Sequence, residues 1–361
     1  MDVFAALTDF LVLYGSLAPL STREARTWVF LFEQQSLLTH MNTGFTQRFA
    51  TTMQKCQLCP RNCGVNRMQG QLGYCRNDTE MYIASITPHL GEEPVLNGQY
   101  GICNVFFSHC NLQCLYCQNH QISHNNNSTI GKRWTLQHAV THIIGLLERG
   151  IERVGFVSPS HMVPQMVAIV EALWQQGWQP LIVYNTNAYE QVDTLRQLEG
   201  LVDVYLPDCK YMDAALAKTW SGAQDYPQVA AAALKEMYRQ MGAVLHLDEH
   251  GLALRGMIVR HLVLPGQITN SLAVLRFLAH EFSPKLTISL MAQYRPIAAV
   301  ATQPDLGRRL SPHEYATVVR EMEELGFSEG FVQQLDSADC YCPDFSKPEP
   351  FAEHFRGTAA P

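Results

Sequence analysis

The sequence predicts an α/β protein, a partial (β/α)6 barrel of the TIM type that follows an N-terminal Cys-rich metal-binding segment. Short β-branched apolar runs alternate with helical segments, which indicates βα units and a parallel sheet. Polar residues follow every predicted strand, and barrels of this kind place their chemistry at the carboxyl ends of the strands. Most of the eleven cysteines fall in two short stretches, a spacing that points to metal ligation rather than to a disulfide framework.

Composition narrows the class of protein. A chain of 361 residues with 47% hydrophobic and 16% charged residues has enough apolar material for a substantial core. The net charge is -7 and the basic residues are scattered, which argues against a nucleic-acid partner. The apolar run 3–20 is broken by Asp9, Gly15 and Pro19, so the sequence predicts neither a signal peptide nor a membrane span. We therefore expect a cytoplasmic protein with reduced cysteines.

The chain divides into four predicted parts. Residues 1–50 are expected to form an amphipathic helical extension, and 51–90 the Cys-rich segment, which includes a short link before Pro88. Residues 91–345 are expected to form the barrel, and 346–361 a poorly ordered, flexible tail. The predicted strands are Ile102–Phe107, Arg153–Val157, Pro180–Tyr184, Val202–Leu206, Met257–Leu262 and Leu286–Leu290. The predicted helices are Thr135–Arg149, Val163–Gln176, Tyr189–Gln197, Gln228–Met241, Ser271–His280 and Pro312–Leu325.

The Cys-rich segment has the pattern C-x2-C-x3-C-x11-C, formed by Cys56, Cys59, Cys63 and Cys75. These four thiols lie in a glycine-punctuated stretch with few apolar residues, which is where a structural metal usually serves. Zinc and an auxiliary iron-sulfur cluster both fit four thiolates, and free cysteines are the remaining alternative.

A second cysteine motif, C-x3-C-x2-C, follows the first predicted barrel strand and consists of Cys110, Cys114 and Cys117. A short loop with three thiolates can hold three of the four irons of a [4Fe-4S] cluster and leave one iron open to a small molecule. Three ordinary thiols in a reducing compartment are the alternative.

This motif, with the aromatic Tyr116 directly before its last cysteine, resembles the signature of the radical S-adenosylmethionine (SAM) superfamily. Further motifs resemble the pyruvate formate-lyase activating enzyme-like Fe-S proteins over roughly residues 55–345. They include 56–63, 91–94, 106–107, 110–112, 117–119, 122–123, 184–186, 202–208, 210–211, 237–240, 260–265 and 291–294. The motifs are specific for family membership and much less specific for the substrate.

The resemblance implies a [4Fe-4S] cluster on the catalytic cysteines Cys110, Cys114 and Cys117, with SAM on the open iron. It also implies reductive cleavage of SAM to a 5′-deoxyadenosyl radical, and an electron donor such as flavodoxin or ferredoxin. Many superfamily members carry a Gly-Gly-Glu segment after the second strand, where this chain has Ser158-Pro159-Ser160-His161.

Other strand ends supply the remaining candidates for SAM binding. Hydrogen-bond acceptors are expected from Ser158, Asn185 and Asp208, although Asp208 and Lys210 also fit a structural ion pair. Strand alternation sends only one of Arg260 and His261 inward, and the inward residue is expected to meet SAM or substrate. The expected cofactor-binding set is Tyr116, Ser158, Asn185, Asp208, Arg260 and His261.

The remaining features of interest are His89, the carboxylates of Glu92 and Glu93, and four further cysteines. The carboxylates and the histidine either shape the mouth of the site or form a solvated turn. Cys103 and Cys209 are expected to be buried structural thiols. The pair Cys340 and Cys342 fits free thiols better than a metal or redox site, since two ligands do not complete a site.

These observations favour a radical SAM oxidoreductase that abstracts a hydrogen atom, with the backbone glycine of a glycyl radical enzyme as one candidate protein substrate. A second interpretation applies the same radical to another peptide, an RNA or a metabolite. A third is a non-enzymatic iron-sulfur electron carrier, which requires four protein ligands at each cluster; the second motif offers three.

Overall fold

The computed structural model describes residues 48–126, 131–339 and 343–351. Nearly all of the predicted N-terminal extension, as well as Cys340 and Cys342, lies outside these residues. From Phe49 onward the chain forms one compact unit, so the Cys-rich segment and the barrel belong together. None of the helices in the described ranges has the length and apolar character needed to cross a bilayer.

A ten-stranded sheet forms the centre of this unit. Its strands are β1 Met81–His89, β2 Ile102–Phe107, β3 Lys132–Trp134, β4 Arg153–Val157, β5 Leu181–Thr186, β6 Val204–Pro207, β7 His246–Leu247, β8 Ala253–Leu262, β9 Thr287–Met291 and β10 Gly330–Val332. Strands β2, β4, β5, β6, β8, β9 and β10 are parallel neighbours in chain order. Strand β1 pairs antiparallel with β2 and β3, and β7 pairs antiparallel with β8. The parallel strands place all their carboxyl ends at one edge of the sheet.

Helices connect these strands. They are α1 Pro94–Asn97, α2 His120–Ser123, α3 Leu136–Leu147, α4 Val163–Gln175, α5 Val192–Arg196, α6 Ala214–Ser221, α7 Tyr226–Met241, α8 Ile268–Glu281 and α9 Pro312–Glu324. Local chemistry sets several ends: Thr135 caps α3, Asp213 caps α6, and Ser311 forms a capping box with Glu314 at α9. Inner strands β2 and β4 are buried along their whole length, as expected for parallel strands covered by helices.

The predicted fold class is confirmed, and each of the six predicted strands and six predicted helices is present, two strands with the predicted ends and the other elements with ends shifted by a few residues. Several short elements were not predicted, and three larger differences matter for the site. Residues 81–89, expected as a link, form strand β1; helix α6 was not predicted; and β10 adds a seventh parallel strand.

Residues 346–351, expected to belong to a flexible tail, are ordered against the barrel. Phe351 is buried, and its ring lies 4.3 Å from the His89 ring and 5.7 Å from the Phe106 ring. Phe345 packs edge-on against Phe106 at 5.2 Å. Residues 343–351 therefore pack on the barrel through aromatic contacts, despite the prolines at 348 and 350 that favoured a disordered end.

Candidate active site

A cavity of about 680 Å³ lies at the carboxyl ends of the parallel strands. This volume falls in the range of cofactor and ligand sites. Its walls come from the loop after each parallel strand. They include Cys110, Cys114, Cys117, Ser158, Asn185, Asp208, Lys210, Arg260, Met291, Gln293 and Gln333. The fold thus brings together the polar strand ends that the sequence analysis singled out.

The three cysteines of the second motif all line this cavity, on the loop that follows β2. Hydrogen bonds fasten this loop to its surroundings. The Asn111 side chain donates to the Tyr189 carbonyl at 2.7 Å, and the Leu115 backbone N–H donates to the Trp220 carbonyl at 2.8 Å. A loop fixed on both sides presents its sulfurs in a defined arrangement, as a cluster site requires.

Each of the three sulfurs accepts a hydrogen bond from the protein. Asn187 Nδ2 donates to Cys110 Sγ at 3.5 Å, Ser221 Oγ to Cys114 Sγ at 3.0 Å, and Ser123 Oγ to Cys117 Sγ at 3.3 Å. Hydrogen bonds to sulfur stabilise thiolates and tune the reduction potential of a cluster. The donor set therefore fits an iron-sulfur cluster held by these three residues.

Burial keeps these thiols protonated until iron binds. It raises the pKa of Cys110 to about 12 and that of Cys114 to about 11. The Lys210 ammonium lowers both pKa values and so favours the thiolates. Cluster assembly must therefore release protons at this site.

Two tyrosines support the hydroxyl that donates to Cys114. The Tyr116 and Tyr211 hydroxyls are 2.6 Å apart, and the Tyr211 hydroxyl is 2.8 Å from Ser221 Oγ. Burial raises the pKa of Tyr116 well above its usual value, so its hydroxyl stays neutral. Tyr116 lines the cavity as well, which agrees with its place in the motif.

The cavity wall also carries a cluster of buried charges centred on Arg260. Its Nη1 lies 2.8 Å from Glu92 Oε2, and its Nε lies 3.5 Å from Asp208 Oδ1 and 3.8 Å from Glu93 Oε1. Lys210 Nζ lies 2.5 Å from Asp208 Oδ2. We call these five residues the charge cluster.

The two glutamates of the charge cluster differ in protonation tendency. Burial opposes ionisation of Glu92, but Arg260, with Asn104 as a hydrogen-bond donor, holds its pKa below the usual range. Burial and the neighbouring Glu92 charge raise the pKa of Glu93. Glu92 therefore ionises more readily than Glu93.

Three polar atoms of the charge cluster have no hydrogen-bond partner within the described part of the chain. They are Glu93 Oε2, Asp208 Oδ1 and Arg260 Nε, and all are buried. Buried polar atoms are normally satisfied, so atoms left open on a cavity wall favour a polar ligand. Together with the three thiolates, they fit a [4Fe-4S] cluster with SAM.

The other expected SAM-binding residues fall into two groups. Ser158 lines the cavity in a left-handed backbone conformation with φ 50°, and Asn185 lines it while donating to Glu92 Oε1 at 3.4 Å. His261 was wrongly placed in this set. Its ring points away from the cavity, with Nδ1 2.7 Å from the Cys209 carbonyl and Nε2 2.9 Å from Ser271 Oγ. Alternation along β8 sends Arg260 inward, so His261 packs beneath helix α8.

Several residues in the cavity wall or directly behind it had no clear signal in the sequence. Ser221 lies at the end of α6 and Gln333 just after β10, two elements that were not predicted. Gln118, which donates to the Gln293 carbonyl at 2.7 Å, and Ser123 were recognised only as parts of motifs. Cys103 and Cys209 are fully buried and outside the cavity, as expected of structural thiols.

The four cysteines of the first motif line a second, small and enclosed cavity. Cys56, Cys59 and Cys75 are buried and Cys63 is partly buried. Gly73 packs so tightly here that a Cβ atom on it would lie 2.8 Å from Cys63 Cβ and Sγ. Arg67, buried beside this cavity, donates from Nη1 to the His161 carbonyl at 2.8 Å.

Within residues 48–126, 131–339 and 343–351, no group of three or more His, Cys, Asp or Glu side chains is arranged to hold a single metal ion. In an iron-sulfur cube each thiolate binds a different iron, so the ligands stand further apart than around one ion.

Comparison with known protein families agrees with an iron-sulfur site. Residues 96–227 match a family model described as a 4Fe-4S single cluster domain. An uncharacterized protein of Methanocaldococcus jannaschii is 27% identical over 262 residues, which are 72% of this chain and 71% of that protein.

Similar solved structures include the FeFe-hydrogenase maturase HydG from Carboxydothermus hydrogenoformans, with a TM-score of 0.45 and 14% identity over 62% of this chain and 50% of that chain. A domain of pyruvate-formate lyase-activating enzyme from Bacteroides vulgatus has a TM-score of 0.33 and 13% identity over 48% of this chain and 93% of that domain. The chain thus spans about half the length of the maturase. Residues 96–227, which match the 4Fe-4S single cluster domain, contain the three-cysteine loop that lines the cavity, and this loop follows the first parallel strand of the sheet.

Proposed function

We propose that this protein reductively cleaves SAM at a [4Fe-4S] cluster on Cys110, Cys114 and Cys117 and abstracts a hydrogen atom from a substrate. One observation carries the proposal: the three thiols and the charge cluster line the same cavity. When bound, the cluster and SAM supply a one-electron cleavage that yields an oxidising carbon radical. The protein's own groups bind, orient and enclose these reactants.

The charge cluster matches the two ends of an amino acid, which SAM carries at its methionyl part. Lys210 and Arg260 offer cations to a carboxylate, while the open oxygens of Glu93 and Asp208 accept hydrogen bonds from an ammonium. Because these groups are already paired with one another, their geometry is set before the ligand arrives.

One side of the cavity is closed by apolar side chains. Phe106 and Phe351 line it, and Phe345 packs against both rings, at 5.2 Å and 6.1 Å. This wall excludes water from the reacting groups, which protects a radical from side reactions.

The substrate that this cavity fits best is a segment of another protein, and the glycine of a glycyl radical enzyme is one candidate. Strand β10 lies at the end of the sheet, and Gly330, Phe331 and Val332 all line the cavity. Within the described ranges the outer edge of β10 pairs with no other strand. An extended chain can add to such an edge through backbone hydrogen bonds and so enter the cavity. Small metabolites and other peptides remain alternatives, whereas the net charge of -7 disfavours RNA.

Anaerobic reconstitution with iron and sulfide, followed by dithionite and SAM, tests the reaction. We expect 5′-deoxyadenosine and a change in the EPR signal of the reduced cluster on addition of SAM. Cys114→Ala should abolish both, whereas the matched control Cys103→Ala should retain both because Cys103 is buried outside the cavity. A wild-type protein that binds the cluster but gives neither readout would contradict the proposal.

The substrate class is tested with deuterated candidates. A glycyl radical enzyme labelled at its glycine should transfer deuterium to 5′-deoxyadenosine, and a mutation that places proline in β10 should weaken this transfer because proline disturbs an edge. Transfer from a free metabolite but not from any protein would favour the alternative.

A further inference from the structure

The two cysteine motifs, distant in sequence, are joined in the structure by hydrogen-bonded bridges. The first bridge starts at Cys63, whose Sγ accepts a hydrogen bond from the Tyr74 backbone N–H at 3.2 Å. The Tyr74 carbonyl accepts from Asn125 Nδ2 at 2.8 Å, and the same Nδ2 lies 3.1 Å from the Cys110 carbonyl. The Cys110 backbone N–H returns a bond to Asn125 Oδ1 at 3.1 Å. Asn125 therefore contacts both motifs at once.

The second bridge runs through Arg61. Arg61 follows Cys59 by two residues, with its backbone N–H near the Cys59 sulfur, and its Nε donates to the Asn111 carbonyl at 2.8 Å. Asn111 is bonded directly to Cys110 in the chain. The guanidinium lies 4.0 Å from the Tyr74 ring centroid and 5.1 Å from that of Tyr189, so two aromatic rings flank the bridge.

Both bridges consist only of covalent bonds and hydrogen bonds. Electron tunnelling weakens less steeply along such a path than across a gap between unbonded atoms. If the bridges only held the two loops together, hydrogen bonds between any atoms of the loops would be enough. Here the bridges instead begin at the sulfur side of the first motif and end at the backbone of the second, as an electron path requires. The four thiols of the first motif, enclosed in one cavity, are a complete ligand set for an iron-sulfur cluster.

We propose that Cys56, Cys59, Cys63 and Cys75 hold an iron-sulfur cluster that relays electrons to the cluster on Cys110, Cys114 and Cys117. A one-electron donor of the flavodoxin or ferredoxin type reduces the first cluster. Asn125 and Arg61 would then provide the path along which this electron reaches the second cluster, which would be reduced as the first is reoxidised. The inference rests on the proposed function, since the second cluster is the one that uses the electron.

The metal in the first site is tested in a full-length variant with Cys110, Cys114 and Cys117 all replaced by alanine. After anaerobic reconstitution with ⁵⁷Fe and sulfide, we expect Mössbauer and EPR signals of a reducible iron-sulfur cluster. Zinc without iron in this variant and in protein purified anaerobically from cells would overturn the relay. A wild-type protein that still cleaves SAM under excess dithionite would then leave the proposed function standing.

The bridges are tested by freeze-quench EPR after mixing the doubly loaded protein with reduced flavodoxin. We expect the first cluster to be reduced before the second in the wild type. The double variant Arg61→Met with Asn125→Asp should slow reduction of the second cluster several-fold, with iron content and reduction of the first cluster unchanged. If this variant loses iron, Asn125→Asp alone serves, because it keeps the acceptor for the Cys110 N–H and loses only the bridging donor.

The matched control is His120→Ala, which breaks a hydrogen bond to the Cys117 carbonyl on the same loop but touches neither bridge. It should leave the rate of the second reduction unchanged. Equal rates in the wild type and the bridge variant, with both clusters intact, would overturn the relay. The relay would also be overturned if His120→Ala slowed reduction of the second cluster as much as the bridge variant does.

Discussion

Arg260→Met removes the cation at the centre of the charge cluster. In the wild type its guanidinium contacts three carboxylates, those of Glu92, Glu93 and Asp208, whose side chains are 8%, 6% and 18% exposed. Without it, Lys210 remains as a nearby cation, and it pairs with Asp208. Removing one partner of a buried ion pair costs about 3–5 kcal/mol, so the free energy of unfolding should fall by about that amount at pH 8.

The pH dependence of this loss has a defined sign. Arg260 lowers the pKa of Glu92 in the folded wild type, so this stabilisation is present above the unfolded pKa near 4.5 and is lost as pH falls. In the variant, burial dominates and raises the pKa of Glu92, so the folded state is favoured once that carboxyl group is protonated. The difference between variant and wild type should therefore shrink from pH 8 to pH 5.

Equilibrium unfolding in urea under anaerobic conditions measures both effects. A triple variant that adds Glu92→Gln and Glu93→Gln to Arg260→Met should recover most of the lost stability, because no unpaired charge remains at that end of the cluster. Arg276→Met is the control, since Arg276 forms a surface pair with Glu321 and is 62% exposed, and it should change stability by about 1 kcal/mol or less. A loss below about 1 kcal/mol for Arg260→Met, or a loss independent of pH, would refute the reasoning.

Three further predictions concern other buried groups. Burial raises the pKa of Glu190 to about 7. The protonated carboxyl group therefore stabilises the folded state by about 3 kcal/mol below pH 4.5, and this contribution is lost as pH rises through 7. Urea unfolding of Glu190→Gln should lack this pH dependence. Ser221→Ala removes a hydrogen bond to Cys114 Sγ, so redox titration of the cluster should give a potential about 20–60 mV more negative. Gly73→Ala places a Cβ against Cys63, so metal analysis should show loss of metal from the first motif only.

Each of these three predictions has a control or a contrary result. Ser160→Ala removes one donor to Glu190 and keeps the carboxyl group, so its pH dependence should persist. A potential for Ser221→Ala that stays constant or rises would show that the hydroxyl does not stabilise the reduced cluster. Gly145→Ala is matched to Gly73→Ala, since no atom lies within 4 Å of the added Cβ, and it should keep all metal.

Strong local signals account for what was predictable. Inner strands such as β2 and β4 are mostly apolar, and their predicted ends match the structure, in which every residue of both strands is buried. The spacing of Cys110, Cys114 and Cys117 fixes three sulfurs within one loop, whatever the rest of the fold does. Helix α9 was recognisable from Pro312, since proline is favoured at the first helical position.

Signals that depend on distant partners were missed or misassigned. Strand β1 has interrupted alternation and a proline at 88, and its pairing with β2 stabilises it. Residues 346–351 have the composition of a disordered tail, yet the Phe351 ring packs against the rings of His89 and Phe106. Ser221 carries no local mark of its hydrogen bond to a sulfur 107 residues away.

The sequence alone determined the α/β class, the order of the βα units and the two cysteine motifs, because these follow from local periodicity and spacing. Only the tertiary structure decided which side chains share the cavity. Arg260 and His261 are neighbours in sequence, but the pleat of β8 sends one to the cavity and the other to Ser271. The same holds for Asn125 and Arg61, since only the packing of the two cysteine loops brings both into contact with the two motifs.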